Sequence, residues 1–164
     1  GATAMELEVP QVVKALWSNT SGEGWALYAE RLAAEADMYA DDPFGDLGRL
    51  QAELHRAVRL VTDTGMHAKR WSREQAIRYM VETEGLDEAT ATSEIERFVV
   101  WPAQALGYKL GQLRILALRE EAQSKLGERF DIRDFNQQVL EVASTPMPYI
   151  ESTIRDWIEV SGNL

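Results

Sequence analysis

Glu23 and Glu30 stand seven positions apart in Ser21-Gly22-Glu23-Gly24-Trp25-Ala26-Leu27-Tyr28-Ala29-Glu30. On a helix they share one face, with Leu27 between them and about 10 Å of axial separation. That is too far for both to grip one metal ion, so one would ligate while the other supports a neighbour. The plainer explanation is that Glu23 favours a helix N-terminus through the macrodipole and Glu30 is solvated. Arg56, Arg59, Asp63 and His67 trace a second polar line. There Asp63 would orient an imidazole four residues on, unless Gly65 ends the helix first; a surface ion-pair stripe explains the spacing as well. Gln104, Tyr108 and Gln112 recur every fourth residue. A tyrosine hydroxyl so placed can donate to a developing oxyanion, or Tyr108 is a core residue with a polar tip. Gly107 and Gly111 on the same helix cost about 1 kcal/mol each relative to alanine, which implies compensation by close approach of a backbone or ligand. Lys109 adjoins Tyr108 but points about 100° away.

Metal chemistry is poorly supplied. The chain has no cysteine and 2 histidines, His55 and His67, with no His-Glu-x-x-His pair. Either the protein is not a metalloenzyme or part of its site lies outside these residues.

The elements that would carry these residues are helices. Apolar residues recur at helical spacing almost throughout and period-two alternation is absent. Pro10 opens a helix carrying Val12, Val13, Leu16 and Trp17. Ser21 or Asn19 caps the next, whose buried stripe is Trp25, Tyr28, Leu32 and Tyr39. Asp41-Asp42-Pro43-Phe44-Gly45-Asp46 reads as a turn. A long helix follows with Leu47, Leu50, Leu54, Val58 and Val61 on one side and Gly65 as its stop. Ser72 and Gln75 form a capping box for a helix with Ile77, Met80 and Val81, closed by Gly85. A short helix holds Ile95 and Val99, and Trp101-Pro102 bounds it. Another helix runs from Pro102 to Leu126, ended by Gly127. Asp131 caps one with Phe135 and Val139, and a last helix after Thr145-Pro146-Met147-Pro148 carries Ile150, Ile154, Trp157 and Ile158. The expected fold is all-α, a single helical domain of about eight helices with short loops.

At 164 residues and 45% hydrophobic, the chain can bury a core. Its 17 basic and 27 acidic residues give a net charge of −10, which argues against nucleic acid and against anionic membrane surfaces as partners. No apolar run approaches the ~20 residues of a membrane span. Residues 1–5, Gly1-Ala2-Thr3-Ala4-Met5, do not look like a native start and read as a cloning scar or a cut inside a longer protein.

Four segments together resemble a known family: Glu23-Gly24-Trp25-Ala26-Leu27-Tyr28-Ala29-Glu30, Asp63-Thr64-Gly65-Met66-His67, Pro102-Ala103-Gln104-Ala105-Leu106-Gly107-Tyr108-Lys109-Leu110-Gly111 and Phe130-Asp131-Ile132-Arg133-Asp134-Phe135. Their order and spacing resemble the C-terminal part of the bacterial domain of unknown function 885 family, from about Glu6 to Trp157. Full-length members look like helical zinc peptidases similar to the carboxypeptidase Taq and angiotensin-converting-enzyme groups. The resemblance implies that residues 6–164 are the C-terminal portion of a larger helical peptidase-like fold, with a peptide substrate and zinc in the full-length protein. It implies Glu23 as a zinc ligand, Tyr108 as the oxyanion donor, and His67 and Lys109 as contacts to substrate polar groups. The family's His-Glu-x-x-Pro-Gly-His segment, which supplies two zinc ligands and the general base, is absent from this sequence. The 164 residues alone are therefore expected to be inactive, to hold no zinc tightly, and to self-associate through uncovered apolar faces. A non-catalytic helical interaction or assembly module is the competing expectation. Two departures stand out: Ala103 where the family usually has glycine, and Asn136 where it usually has histidine.

Overall fold

The computed structural model describes residues 18–163. Among them it has seven α-helices, one 3-10 turn and no strand, as the periodicity predicts. In chain order they are α1 (Asn19–Glu35), α2 (Pro43–Lys69), α3 (Arg73–Glu84), α4 (Glu88–Val100), α5 (Leu106–Leu126), the 3-10 turn (Gly127–Arg129), α6 (Ile132–Glu141) and α7 (Met147–Gly162). The expected helix at Pro10–Trp17 lies outside the described residues. Among the described residues no helix is long and apolar enough to cross a membrane. The chain divides into two compact units, Ala29–Leu110 and Gly1–Tyr28 with Gly111–Leu164.

In the Ala29–Leu110 unit, α2 packs with α3 and α4 around Val58, Ala76, Ile77, Met80, Ala91, Ile95, Phe98 and Ala105. Local signals set several of its boundaries. Ser72 and Gln75 close a reciprocal capping box: the Gln75 backbone N–H donates to Ser72 Oγ at 3.2 Å, and the Ser72 N–H to Gln75 Oε1 at 2.8 Å. Gly85 ends α3 at φ 72°. Trp101 caps the end of α4 directly before Pro102.

Other boundaries differ from expectation. The turn lies earlier than predicted, because Asp42 caps α2 by accepting from Gly45 N at 2.8 Å, with Pro43 already in the first helical turn. Gly65 does not stop α2, which runs on to Lys69. Its missing Cβ instead makes room for the Trp71 indole, 2.6 Å from where a Cβ would stand. α5 begins at Leu106 rather than Pro102. Val99 is 58% exposed, so Ile95 and Phe98 carry the burial of α4.

The largest departure concerns which side of α2 is inside. Leu47, Leu50, Leu54 and Val61 are all exposed, and only Val58 of the predicted stripe is buried. The buried side carries Arg59, Thr62, Asp63 and Gly65 as well. Both stripes have helical period, so sequence periodicity alone could not choose between them.

In the other unit, the buried side chains include Leu27, Tyr28, Ile115, Leu118, Ala122, Leu126, Phe135, Val139, Ile150, Ile154 and Ile158. Asp131 caps α6 by accepting from Arg133 N at 2.7 Å. Phe135 stacks at a tilt on Trp157, with ring centroids 6.5 Å apart. The N-terminal cap of α1 is neither Asn19 nor Ser21 but Ser18, whose Oγ accepts from Ser21 N at 3.4 Å. Ser21, Gly24, Leu27 and Tyr28 are the buried residues of α1, whereas Trp25 and Leu32 are half-buried and Tyr39 lies beyond the helix.

That face is set by backbone contact. A Cβ on Gly111 would stand 1.9 Å from the Thr20 carbonyl oxygen, and one on Gly24 would stand 2.5 Å from Gly111 Cα. The close approach inferred from glycines inside a helix is therefore real at Gly111. The prediction follows that Gly111→Ala costs about 2–3 kcal/mol through overpacking, despite alanine's better helix propensity. Thermal unfolding should show a midpoint roughly 5–10 °C lower, while the surface change Glu120→Ala stays within about 0.5 kcal/mol.

Candidate functional site

The polar side of α2 faces inward, and its charges meet partners from α4 and from the segment that opens α5. Arg59 is only 4% exposed. Its guanidinium lies 5.2 Å from the centroid of the Tyr108 ring and 5.7 Å from that of Phe98, and Arg56 stands 5.4 Å from the same Tyr108 ring. Such cation–π contacts contribute about 0.5–2 kcal/mol each, more when desolvated. Arg59 also donates to Gln104 Oε1 at 3.5 Å, and Arg97 donates to that same oxygen at 2.9 Å. Glu94 Oε2 is 3.6 Å from Arg59 Nε. Burial pulls the Arg59 pKa below the ordinary arginine value, and Glu94 opposes that shift.

Asp63 is 2% exposed. Both its carboxylate oxygens accept the Ala103 backbone N–H, at 3.0 and 3.3 Å. Ala103 has φ 66°, a conformation that L side chains rarely adopt. Glycine would adopt that conformation without strain. Burial raises the Asp63 pKa, while the Ala103 hydrogen bond, His67 and Arg59 pull it down. Because α2 continues past Gly65, His67 does stand one turn beyond Asp63. Its Nε2–H, however, donates to the Phe98 carbonyl at 3.1 Å, and Asp63 Oδ1 is farther, at 3.9 Å.

Lys109 is held by Glu53, Nζ to Oε1 at 2.5 Å, and Glu53 also receives Arg49 at 3.4 Å. Sequence reasoning did not pair Lys109 with Glu53; the spacing Asp46, Arg49, Glu53 was the available signal. It also missed His55, whose Nδ1–H donates to the buried Glu84 carboxylate at 2.8 Å. Gln104 precedes α5 rather than lying on it, so the expected line of Gln104, Tyr108 and Gln112 is not one helical face.

The remaining candidates belong to the other unit. Gln112 is fully buried and donates to the Leu27 carbonyl at 3.2 Å. Tyr28 OH donates to Asn136 Oδ1 at 3.0 Å, so the asparagine at this position serves as an acceptor. Glu23 is half-buried in the second turn of α1, past the reach of a first-turn dipole effect. No hydrogen bond or ion pair engages its carboxylate among the described residues.

Among the described residues no three His, Asp or Glu side chains are grouped so as to hold a metal ion. Each of the two histidines already donates a ring N–H to a protein oxygen. These residues by themselves do not fit a zinc site, which needs at least three protein ligands.

The family model described as "Bacterial protein of unknown function (DUF885)" matches residues 1–154. A solved structure described as a "putative lipoprotein from Colwellia psychrerythraea" is 56% identical, with a TM-score of 0.83. The match covers 87% of this chain and 24% of that one, so the present chain spans about a quarter of that relative's length. No curated protein matches.

The Asp63 contact yields two expectations. Asp63→Ala leaves the Ala103 N–H without its acceptor and costs about 1–3 kcal/mol, whereas Asp63→Asn keeps an acceptor and costs less. Because the folded pKa of Asp63 is raised, its protonation favours the native state. The stability of the unmodified protein relative to Asp63→Asn should fall as pH rises from about 4 through the folded pKa. Urea titrations across pH check this; a difference that grows with pH in favour of Asp63 would contradict it. Separately, Ala103→Gly relieves left-handed strain of about 1–2 kcal/mol against a smaller entropic cost, and should raise the unfolding midpoint.

Proposed function

The chain belongs to the DUF885 family of bacterial proteins, and from that membership we propose that it is the C-terminal portion of a zinc-dependent peptidase. In this reading the imidazole ligands and the general base sit on a His-Glu-x-x-Pro-Gly-His segment that these 164 residues do not include. Glu23 contributes one metal ligand, Tyr108 donates its hydroxyl to the oxyanion, and His67 and Lys109 meet polar groups of the peptide. The bound metal would supply an activated water.

The observation that carries the reading is the Glu23 carboxylate. Glu23 as a residue is half-buried and lies beyond the first helical turn, and its carboxylate has no bonding partner among the described residues. A carboxylate that no protein group engages is available to a cation, which is its natural complement. Tyr108 adds support: two guanidinium groups face its ring, an environment that favours negative charge developing at its hydroxyl. Lys109 and His67 enter the reading with their present partners, Glu53 and the Phe98 carbonyl. A substrate carboxylate would have to compete with those contacts.

The exposed leucines of α2 favour a second reading, a non-catalytic helical interaction module. The two separate in an assay of the full gene product against a peptide library, with and without a chelator. Metal-dependent cleavage is expected, reduced about 100-fold or more by Tyr108→Phe. Glu23→Gln should lower both zinc stoichiometry and rate. Cleavage indifferent to chelator, or full zinc loading by Glu23→Gln, would overturn the peptidase assignment.

A further inference from the structure

A helix on the surface of a globular unit turns its apolar stripe inward and its charges to water. Within its unit α2 does the reverse. Arg59, Thr62 and Asp63 are 4%, 0% and 2% exposed, whereas Phe44, Leu47, Leu50, Leu54 and Val61 are 84%, 60%, 48%, 42% and 38% exposed. Phe44, Leu47, Leu50 and Leu54 recur at three- and four-residue steps and form one exposed ridge about 15 Å long, with Val61 two turns further on past the buried Val58. Scattered exposed leucines are ordinary; a continuous row of them marks an interface. Beyond it, Val61 borders an apolar groove of about 430 Å³ lined by Leu60, Val61, Gly65 and Trp71, with Thr64 and Lys69 at its edge.

Two observations identify what covers the ridge. The 56%-identical solved relative is a chain of which this one spans only 24%, so three quarters of that protein lies outside the matched helices. The ion-paired charges along the ridge are of both signs rather than massed in one, Arg31 with Glu35 among them. Along its flank Arg49 bonds Asp46 at 2.7 Å and Glu53 at 3.4 Å, and Glu53 holds Lys109, a set whose charges cancel. A membrane surface would call for a cationic flank, whereas an apolar row at helical spacing fits the apolar stripe of another helix.

We infer that the leucine face of α2 is an internal helix–helix interface, covered by an amphipathic helix from the part of the longer family chain outside these 164 residues. The inference rests on the reading above only in taking the chain as part of a longer protein; it does not need zinc or peptidase chemistry.

The absence of cysteine makes a clean test possible. Leu54→Cys and Leu50→Cys are each placed in the 164-residue chain and in the full gene product, with the exposed Glu82→Cys as reference and circular dichroism to check folding. Maleimide labelling rates are then compared, with the unsubstituted full gene product as background. In the 164-residue chain the two ridge positions should label at close to the reference rate. In the full gene product they should label about 10-fold more slowly or less, since reaction there waits on local opening. Equal rates in the two contexts overturn the inference. Protection in the 164-residue chain that rises with its concentration also overturns it, and assigns the ridge to a second copy. A gene encoding nothing beyond these residues would sink both this inference and the peptidase reading. An active, longer zinc peptidase with freely labelled ridge positions would sink this inference alone.

Discussion

The Asp63 carboxylate, buried and bonded to the Ala103 backbone N–H, is the contact on which the polar cluster of the Ala29–Leu110 unit depends. It ties the middle of α2 to the turn that leads into α5, and Tyr108 stands only two residues inside α5. Magnitudes explain why the turn persists with alanine in the left-handed region. Strain there costs about 1–2 kcal/mol, while a hydrogen bond to a charged acceptor contributes about 1.5–3 kcal/mol. The bond holds the strained residue in place, and the strained residue presents its N–H where the carboxylate can reach it. The same burial that makes the bond strong raises the Asp63 pKa.

Arg59 shows what else that inward polar face requires. A buried guanidinium is tolerable only when its donors and its charge are met. Here Gln104, Glu94 and two aromatic rings share that task. The match is incomplete: Arg59 Nε and Glu94 Oε2 are 3.6 Å apart and neither has a hydrogen-bond partner. A cluster held this way specifies geometry more than it adds stability. It holds the Tyr108 ring against the guanidinium groups of Arg56 and Arg59.

In the other unit the comparable constraint is steric. Gly24 and Gly111 bring two helix backbones so close that no side chain fits between them. Glu23 is the neighbour of Gly24, so this approach fixes the turn of α1 that presents the carboxylate. Tyr28, one turn further on, is locked by full burial and by its bond to Asn136.

The sequence by itself determined the helical class and several boundaries that rest on chemistry local to a few residues. The Ser72–Gln75 box, the Gly85 stop, the Asp131 cap and the Trp101-Pro102 break are properties of neighbouring atoms along the chain, and they appear where the residues place them. Gly111 also signalled its close approach, because glycine inside a helix is costly without one. Tertiary structure alone decided which stripe of α2 lies inside, why Gly65 sits within a helix rather than at its end, and which acid holds Lys109. Two stripes of equal period are indistinguishable until something packs on one of them. The indole that fills the space at Gly65 and the carboxylate that meets Lys109 come from Trp71 and Glu53. No local rule links a residue to a partner that reaches it only after the chain has folded back on itself.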